Sequence, residues 1–182
     1  IGSFARTQAR ASVALGAEAS FVARTHDMDR THMQAMFRRA HDHRGAAIVE
    51  VYQNCNVFND GAFDAITKKD ARAEMIIDLV HGEPVTFGPE REHGVVLDQG
   101  AARIVDVAAV GLDAILVHDE NAPDPSVAFA LSRLASDRQS PTPIGVFRAV
   151  ERLDYGAGVD AQLAAAQAPN GGGDLTSLLH SL

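Results

Sequence analysis

The succession Ala19-Ser20-Phe21-Val22-Ala23-Arg24, then Met33-Gln34-Ala35-Met36-Phe37-Arg38-Arg39-Ala40, then Ala46-Ala47-Ile48-Val49-Glu50-Val51-Tyr52 decides the fold class. The first run reads as a short buried strand. In the second, Met33, Met36, Phe37 and Ala40 recur at i, i+3, i+4 and i+7, which is one face of an amphipathic helix. Asp27 or Asp29 can cap that helix, because a short carboxylate accepts from the orphan N–H groups of the first turn. His43 and Arg44 suit its carboxyl end, and Gly45 is placed to stop it. The third run is the most apolar strand-like segment of the chain. Strand, capped helix and strand joined by short links form a βαβ unit, so the two strands should run parallel with a right-handed crossover.

Outward from this unit, residues 8–18 suggest a small-residue helix able to approach a sheet closely, through Ala11, Val13, Ala14, Leu15 and Ala17. Residues 54–63 are rich in Asn, Asp and Gly and read as irregular backbone. A charged helix is expected over 69–80, with Met75, Ile76, Leu79 and Val80 on its buried side and Gly82 and Pro84 ending it. Short apolar runs split by glycines and charges over 85–117 point to small β-hairpins, an arm beyond the main sheet. Asp124-Pro125 starts a helix, with Val127, Ala130, Leu131 and Leu134 inward. Residues 143–148 read as a strand or an extended edge, 160–168 as a weak alanine-rich helix, 170–173 as a hinge and 175–182 as an amphipathic tail.

The 182 residues are 46% hydrophobic with a mean hydropathy of −0.05, the profile of a soluble globular protein with a core. No stretch approaches the roughly 18–20 uncharged apolar residues that span a bilayer, and no secretory leader is visible at the first residues. Sixteen basic residues stand against 24 acidic ones, a net charge of −8. A phosphate-backbone binder needs a basic face, so nucleic acid is not an expected partner. Zero Trp and two Tyr argue against a base-stacking platform as well. One cysteine forbids an internal disulfide and fits a reducing cytoplasm.

That cysteine, Cys55, lies just past the second strand, where ligands of open α/β sheets gather. A thiol there is a candidate metal or cluster ligand, or a small buried hydrophobe. Its neighbours Asn54, Asn56, Asn59, Asp60 and Gly61 make a polar, turning loop with backbone N–H groups to offer. The eight histidines do not make a zinc site by spacing. His41 and His43 project about 200° apart on a helix, and His26, His32, His81, His93 and His118 stand singly. There is no Gly-x-Ser-x-Gly elbow, no Gly-x-x-x-x-Gly-Lys and no Gly-x-Gly-x-x-Gly. Arg103, Arg148 and Arg152 are expected to be solvated or paired surface charges.

The runs Val13-Ala14-Leu15-Gly16-Ala17, Phe21-Val22-Ala23-Arg24, His43-Arg44-Gly45-Ala46-Ala47 and Tyr52-Gln53-Asn54-Cys55-Asn56-Val57-Phe58-Asn59-Asp60-Gly61-Ala62-Phe63 resemble the second half of the β subunit of 2-oxoacid:ferredoxin oxidoreductases. His81-Gly82-Glu83-Pro84-Val85-Thr86-Phe87-Gly88, Gly94-Val95-Val96, Ala128-Phe129-Ala130-Leu131-Ser132-Arg133-Leu134 and Pro143-Ile144-Gly145-Val146-Phe147-Arg148 continue the likeness, which is strongest to the 2-oxoglutarate branch. The resemblance implies a three-layer α/β thiamine-diphosphate-binding fold with a small β-rich arm. It divides the chain into 1–82 (part of that fold), 83–155 (a β-rich extension with one helix) and 156–182 (a flexible tail). It further implies thiamine diphosphate, Mg²⁺ and a [4Fe–4S] cluster, with Cys55 as the fourth cluster ligand and metal-binding residue. No catalytic side chain is assigned in this chain.

The implied reaction decarboxylates a 2-oxoacid, transfers the acyl group to coenzyme A and passes electrons to ferredoxin, with an α subunit as partner. The family's Gly-Asp-Gly-Asp motif and its other three cysteines do not occur in these residues. The expectation is therefore the C-terminal half of a longer subunit, inactive alone; a degenerate gene is the other explanation. Two alternatives stand beside it: a non-catalytic α/β subunit-interaction module with a structural Cys55, and a cysteine-dependent hydrolase.

Overall fold

The computed structural model describes residues 10–58, 60–134, 140–170 and 173–181. In chain order the elements are α1 (Arg10–Gly16), β1 (Phe21–His26), α2 (Arg30–Asp42), β2 (Ala47–Tyr52), α3 (Asp64–Thr67), α4 (Lys69–Met75), β3 (Ile76–Leu79), β4 (Thr86–Phe87), β5 (His93–Asp98), β6 (Ala101–Asp106), α5 (Val107–Val110), α6 (Ser126–Ser132), β7 (Thr142–Ala149), α7 (Tyr155–Asn170) and α8 (Leu175–Leu179). Contacts divide the chain into two units, 1–151 and 152–182. The second holds α7 and α8, and Asp174 caps α8 by accepting from the Thr176 N–H at 2.9 Å.

The expected βαβ unit is present: β1 and β2 pair in parallel, from Phe21↔Ala47 to His26↔Tyr52, with α2 as the crossover. The sheet order is β2-β1-β7-β3, with β7 antiparallel to β1 and parallel to β3. Alternation along β1 and β7 divides the apolar side chains between two faces. Phe21, Ala23 and Val146 pack under Met36 of α2. On the opposite face, Val22 and Phe147 meet Ala11, Ala14 and Leu15 of α1 and Ala128 and Leu131 of α6. Helices on both faces of a central sheet make three layers, the α/β class the sequence indicates. The arm is the antiparallel sheet β4-β5-β6, and Val85, Phe87 and Val95 join the α1/α6 side of the core. Its hairpin turns through Gln99 and Gly100, both at positive φ, the primed geometry that matches strand twist.

Several expectations need correction. The helix expected over 69–80 ends at Met75; Ile76–Leu79 is instead a strand against Thr142–Gly145. The β-branched Ile76-Ile77 pair gains more from that pairing and from burial on both faces than from one more helical turn. Gly145 lets the two strands meet: at φ +122°, a Cβ there would lie 2.8 Å from the Leu79 carbonyl oxygen. Residues 143–148 are accordingly an internal strand rather than an edge. Helix α2 stops at Asp42, not at Gly45. Of its expected inner face only Met36 is buried, while Phe37 is 49% exposed.

Arg148 is not a surface charge either, being only 1% exposed. Its guanidinium donates to the carbonyls of Glu18 (3.3 Å), Ala19 (2.9 Å) and Pro123 (2.7 Å). The first two belong to the turn leaving α1, where helix-end carbonyls lack intrahelical partners. Arg103 is the expected surface pair, with Asp98 at 2.8 Å.

Candidate functional site

The carboxyl ends of β1 and β2 lie side by side and emit two loops. From β1, the Asp29 N–H reaches back to the His26 carbonyl at 3.4 Å, and the Asp29 carboxylate caps α2 by accepting from the His32 N–H at 2.9 Å. Its other oxygen accepts from Arg72 of α4 at 2.8 Å. These two donors, the backbone N–H first, hold the Asp29 carboxyl below its ordinary pKa. The two loops are joined where the Asp27 N–H donates to the Tyr52 carbonyl at 3.1 Å.

The loop leaving β2 is organised by Asn54, whose amide nitrogen donates to Asn56 Oδ1 (2.8 Å) and Asp60 Oδ1 (2.9 Å). Its carbonyl oxygen accepts from the Gly61 N–H at 3.0 Å. The loop closes against the sheet by stacking Phe63 on Tyr52, ring centroids 4.7 Å apart. Cys55 sits in this pinned loop, half-buried, three residues beyond the strand. The rim position expected of it is observed, in a polar loop rather than in a core. Asn59 of the same loop lies outside the described residues.

Sequence reading missed His26 and the Arg72–Asp29 pair. His26 is the last residue of β1, 2% exposed, and neither ring nitrogen has a hydrogen-bond partner among the described residues. His32 Nδ1 lies 2.8 Å from Thr25 Oγ1. The two imidazoles share the field of Asp29 and Arg72 although nothing in their sequence spacing signals it. No group of three or more His, Cys, Asp or Glu able to hold a metal occurs among the described residues. Cys55 therefore fits a cluster only as one ligand among thiolates from elsewhere, and the described residues do not make a Mg²⁺-diphosphate site.

Burial holds His26, His32 and His118 below the ordinary imidazole pKa of 6.5. The ring nitrogen His118 Nε2 lies 2.7 Å from the Val146 carbonyl oxygen, so it carries the proton and donates. The unfolded chain binds acid more readily at these positions than the folded one. Their contribution is complete above about pH 6.5 and falls as the pH drops through and below that value, by up to about 1.4 kcal/mol per pH unit for each ring. Urea midpoints are expected to decline from about pH 7.5 to about pH 5, and His118→Gln should flatten the slope. A midpoint that rises as the pH falls contradicts neutral buried imidazoles.

No helix among the described residues is long and apolar enough to cross a membrane. No family model matches the chain. Over 171 residues, 93% of its length, the chain is 45% identical to the 2-oxoglutarate oxidoreductase subunit KorB of Mycobacterium tuberculosis, and it spans 46% of that relative. The resemblance read from the residues is borne out by this match: over nearly its whole length the chain is similar to a 2-oxoglutarate oxidoreductase subunit.

Proposed function

We propose, from that kinship, that this chain is the C-terminal part of the β subunit of a 2-oxoglutarate:ferredoxin oxidoreductase. The single observation that carries the reading is 45% identity across 93% of the chain to the KorB subunit. In this reading the subunit works in the cytoplasm with an α subunit, converts a 2-oxoacid and coenzyme A to an acyl-CoA and carbon dioxide, and reduces ferredoxin. Thiamine diphosphate with Mg²⁺, when bound, supplies the carbanion chemistry of decarboxylation. Its diphosphate ligands and three cluster thiolates come from residues other than those described here. This chain supplies Cys55, the fourth ligand of a [4Fe–4S] cluster, on a loop whose shape Asn54 holds through three hydrogen bonds. Backbone N–H groups around a thiolate are what tune such a cluster.

The experiment is anaerobic turnover by the subunit, expressed from its natural start together with its α partner. Coenzyme-A-dependent reduction of ferredoxin or viologen is expected with 2-oxoglutarate, at least about tenfold faster than with pyruvate, a difference of about 1.4 kcal/mol in transition-state binding. A holoenzyme that carries thiamine diphosphate and iron yet turns over no 2-oxoacid would leave the non-catalytic interaction module as the reading.

A further inference from the structure

We propose that the outward face of α2, with the residues flanking it, is the docking surface for an acidic protein, the iron–sulfur electron acceptor of the reaction proposed above. The inference rests on that reading for the identity of the acceptor, and on the charge and exposure of this face for the place where it binds.

Charge is unevenly spread along the chain. The total is −8, yet residues 30–44 hold Arg30, Arg38, Arg39 and Arg44 against one acid, Asp42. Several cations elsewhere on the surface are neutralised: Lys68 by Asp64 at 2.7 Å, Arg72 by Asp29 at 2.8 Å and Arg103 by Asp98 at 2.8 Å. Arg39 meets Glu120 through both terminal nitrogens, at 3.1 and 2.7 Å. Arg30, Arg38 and Arg44 are exposed and form no ion pair among the described residues.

The helix period gathers these groups. α2 lays Met36 and Ala40 against the sheet. Arg30, Gln34, Phe37, Arg38 and His41 fall at i, i+4, i+7, i+8 and i+11, within about 100° on a side turned away from it. All five are exposed. Phe37 is joined at the helix start by Met28, which is 69% exposed. Aromatic, Met and Arg side chains are the types that binding patches favour.

Size and position choose the occupant. The face is about 20 Å long, the scale of a transient electron-transfer contact, which buries less than about 1,200 Å² in total. A compact acidic protein can touch this face without meeting the acidic remainder of the surface, whereas an extended polyanion such as nucleic acid would meet both. The Asp27 N–H, just before Met28, donates to the Tyr52 carbonyl, and Cys55 follows three residues beyond Tyr52. The start of the face and the thiol assigned to the cluster therefore share one rim of the sheet.

The test is binding of an acidic [4Fe–4S] ferredoxin to the full-length subunit in complex with its α partner, read by anaerobic biolayer interferometry. The double variant Arg30→Glu/Arg38→Glu is expected to raise Kd at least about tenfold, and to lose most of the weakening that the parent shows between about 0.05 and about 0.3 M salt. Its turnover of 2-oxoglutarate with methyl viologen, a small dye, should stay within about twofold of the parent. Equal affinity of parent and variant, or no binding by the parent, overturns the proposal. Loss of viologen turnover together with affinity does so too, because the effect is then general. Release of the α subunit by the variant in gel filtration assigns the face to that partner and overturns the proposed occupant. The binding readout needs no turnover, so a complex that holds ferredoxin through this face but oxidises no 2-oxoacid would fail the proposed activity alone. An active complex with unchanged affinity would fail only this inference.

Discussion

Arg24→Ala is expected to lower the unfolding free energy by about 3–5 kcal/mol, the cost of leaving a buried charge without its partner. Arg24 is fully buried, and its Nε donates to Glu50 Oε2 at 2.9 Å. The Nη1 group donates to the Pro143 carbonyl at 3.2 Å, and Nη2 lies 3.5 Å from the Ser132 carbonyl. The guanidinium also stacks over Phe147 and Tyr52, 5.0 and 5.2 Å from the ring centroids. One side chain thus ties β1 to β2, to the start of β7 and to the end of α6. Truncation strands the Glu50 carboxylate at 7% exposure and opens a void beneath the two rings. Against a total of about 5–15 kcal/mol for a typical domain, that loss removes about a fifth of the stability or more.

The measurement is urea unfolding at neutral pH, followed by circular dichroism. Arg24→Lys should recover only part of the loss, because one ammonium cannot reproduce the planar fork that meets three partners. The double change Arg24→Leu with Glu50→Leu should cost less than Arg24→Ala alone, since it leaves no uncompensated carboxylate. A loss under about 1 kcal/mol for Arg24→Ala, the level of an exposed ion pair, would show the pair to be solvated.

Arg24 and Arg148 also mark where reading the residues runs out. The parallel β1/β2 unit was legible because strand and helix periods alternate there with short links, and Asp27 or Asp29 announces the helix start. A hairpin arm was legible within residues 85–117 because short apolar runs there are split by glycines and charges. The charge of an arginine in a strand says nothing about which face it meets. Arg148 is buried because α1 ends nearby with carbonyls to satisfy, and that proximity arises only from the antiparallel β1/β7 pairing across more than a hundred residues. The strand Ile76–Leu79 was missed for the same reason. Its partner β7 is distant in sequence, and locally Met75-Ile76-Ile77-Asp78-Leu79 continues a helical face equally well. At the site, the position of Cys55 followed from local pattern. The proximity of His26, Asp29 and Arg72 did not, because α4 returns to the end of β1 only in the folded sheet.

Cys55→Ser carries the other large expected effect, and it falls on the iron rather than on the fold. Thiol and hydroxyl differ little in volume, and the residue is half-buried in a loop whose shape Asn54 sets, so folding should be nearly unaffected. Chemically the two differ much more. A thiol with an ordinary pKa near 8.5 becomes a thiolate ligand readily, whereas a serine hydroxyl deprotonates far less easily and is a harder donor that suits iron–sulfur clusters poorly. If Cys55 ligates, the reconstituted and dithionite-reduced full-length subunit should lose at least about nine-tenths of its [4Fe–4S] EPR signal, or give a signal with displaced g values and a changed potential. The urea midpoint should stay close to that of the parent. Asn54→Ala should keep most of the signal while shifting its potential, because it loosens the loop without removing a ligand. An unaltered signal and potential in Cys55→Ser would remove Cys55 from the cluster and leave it a structural thiol.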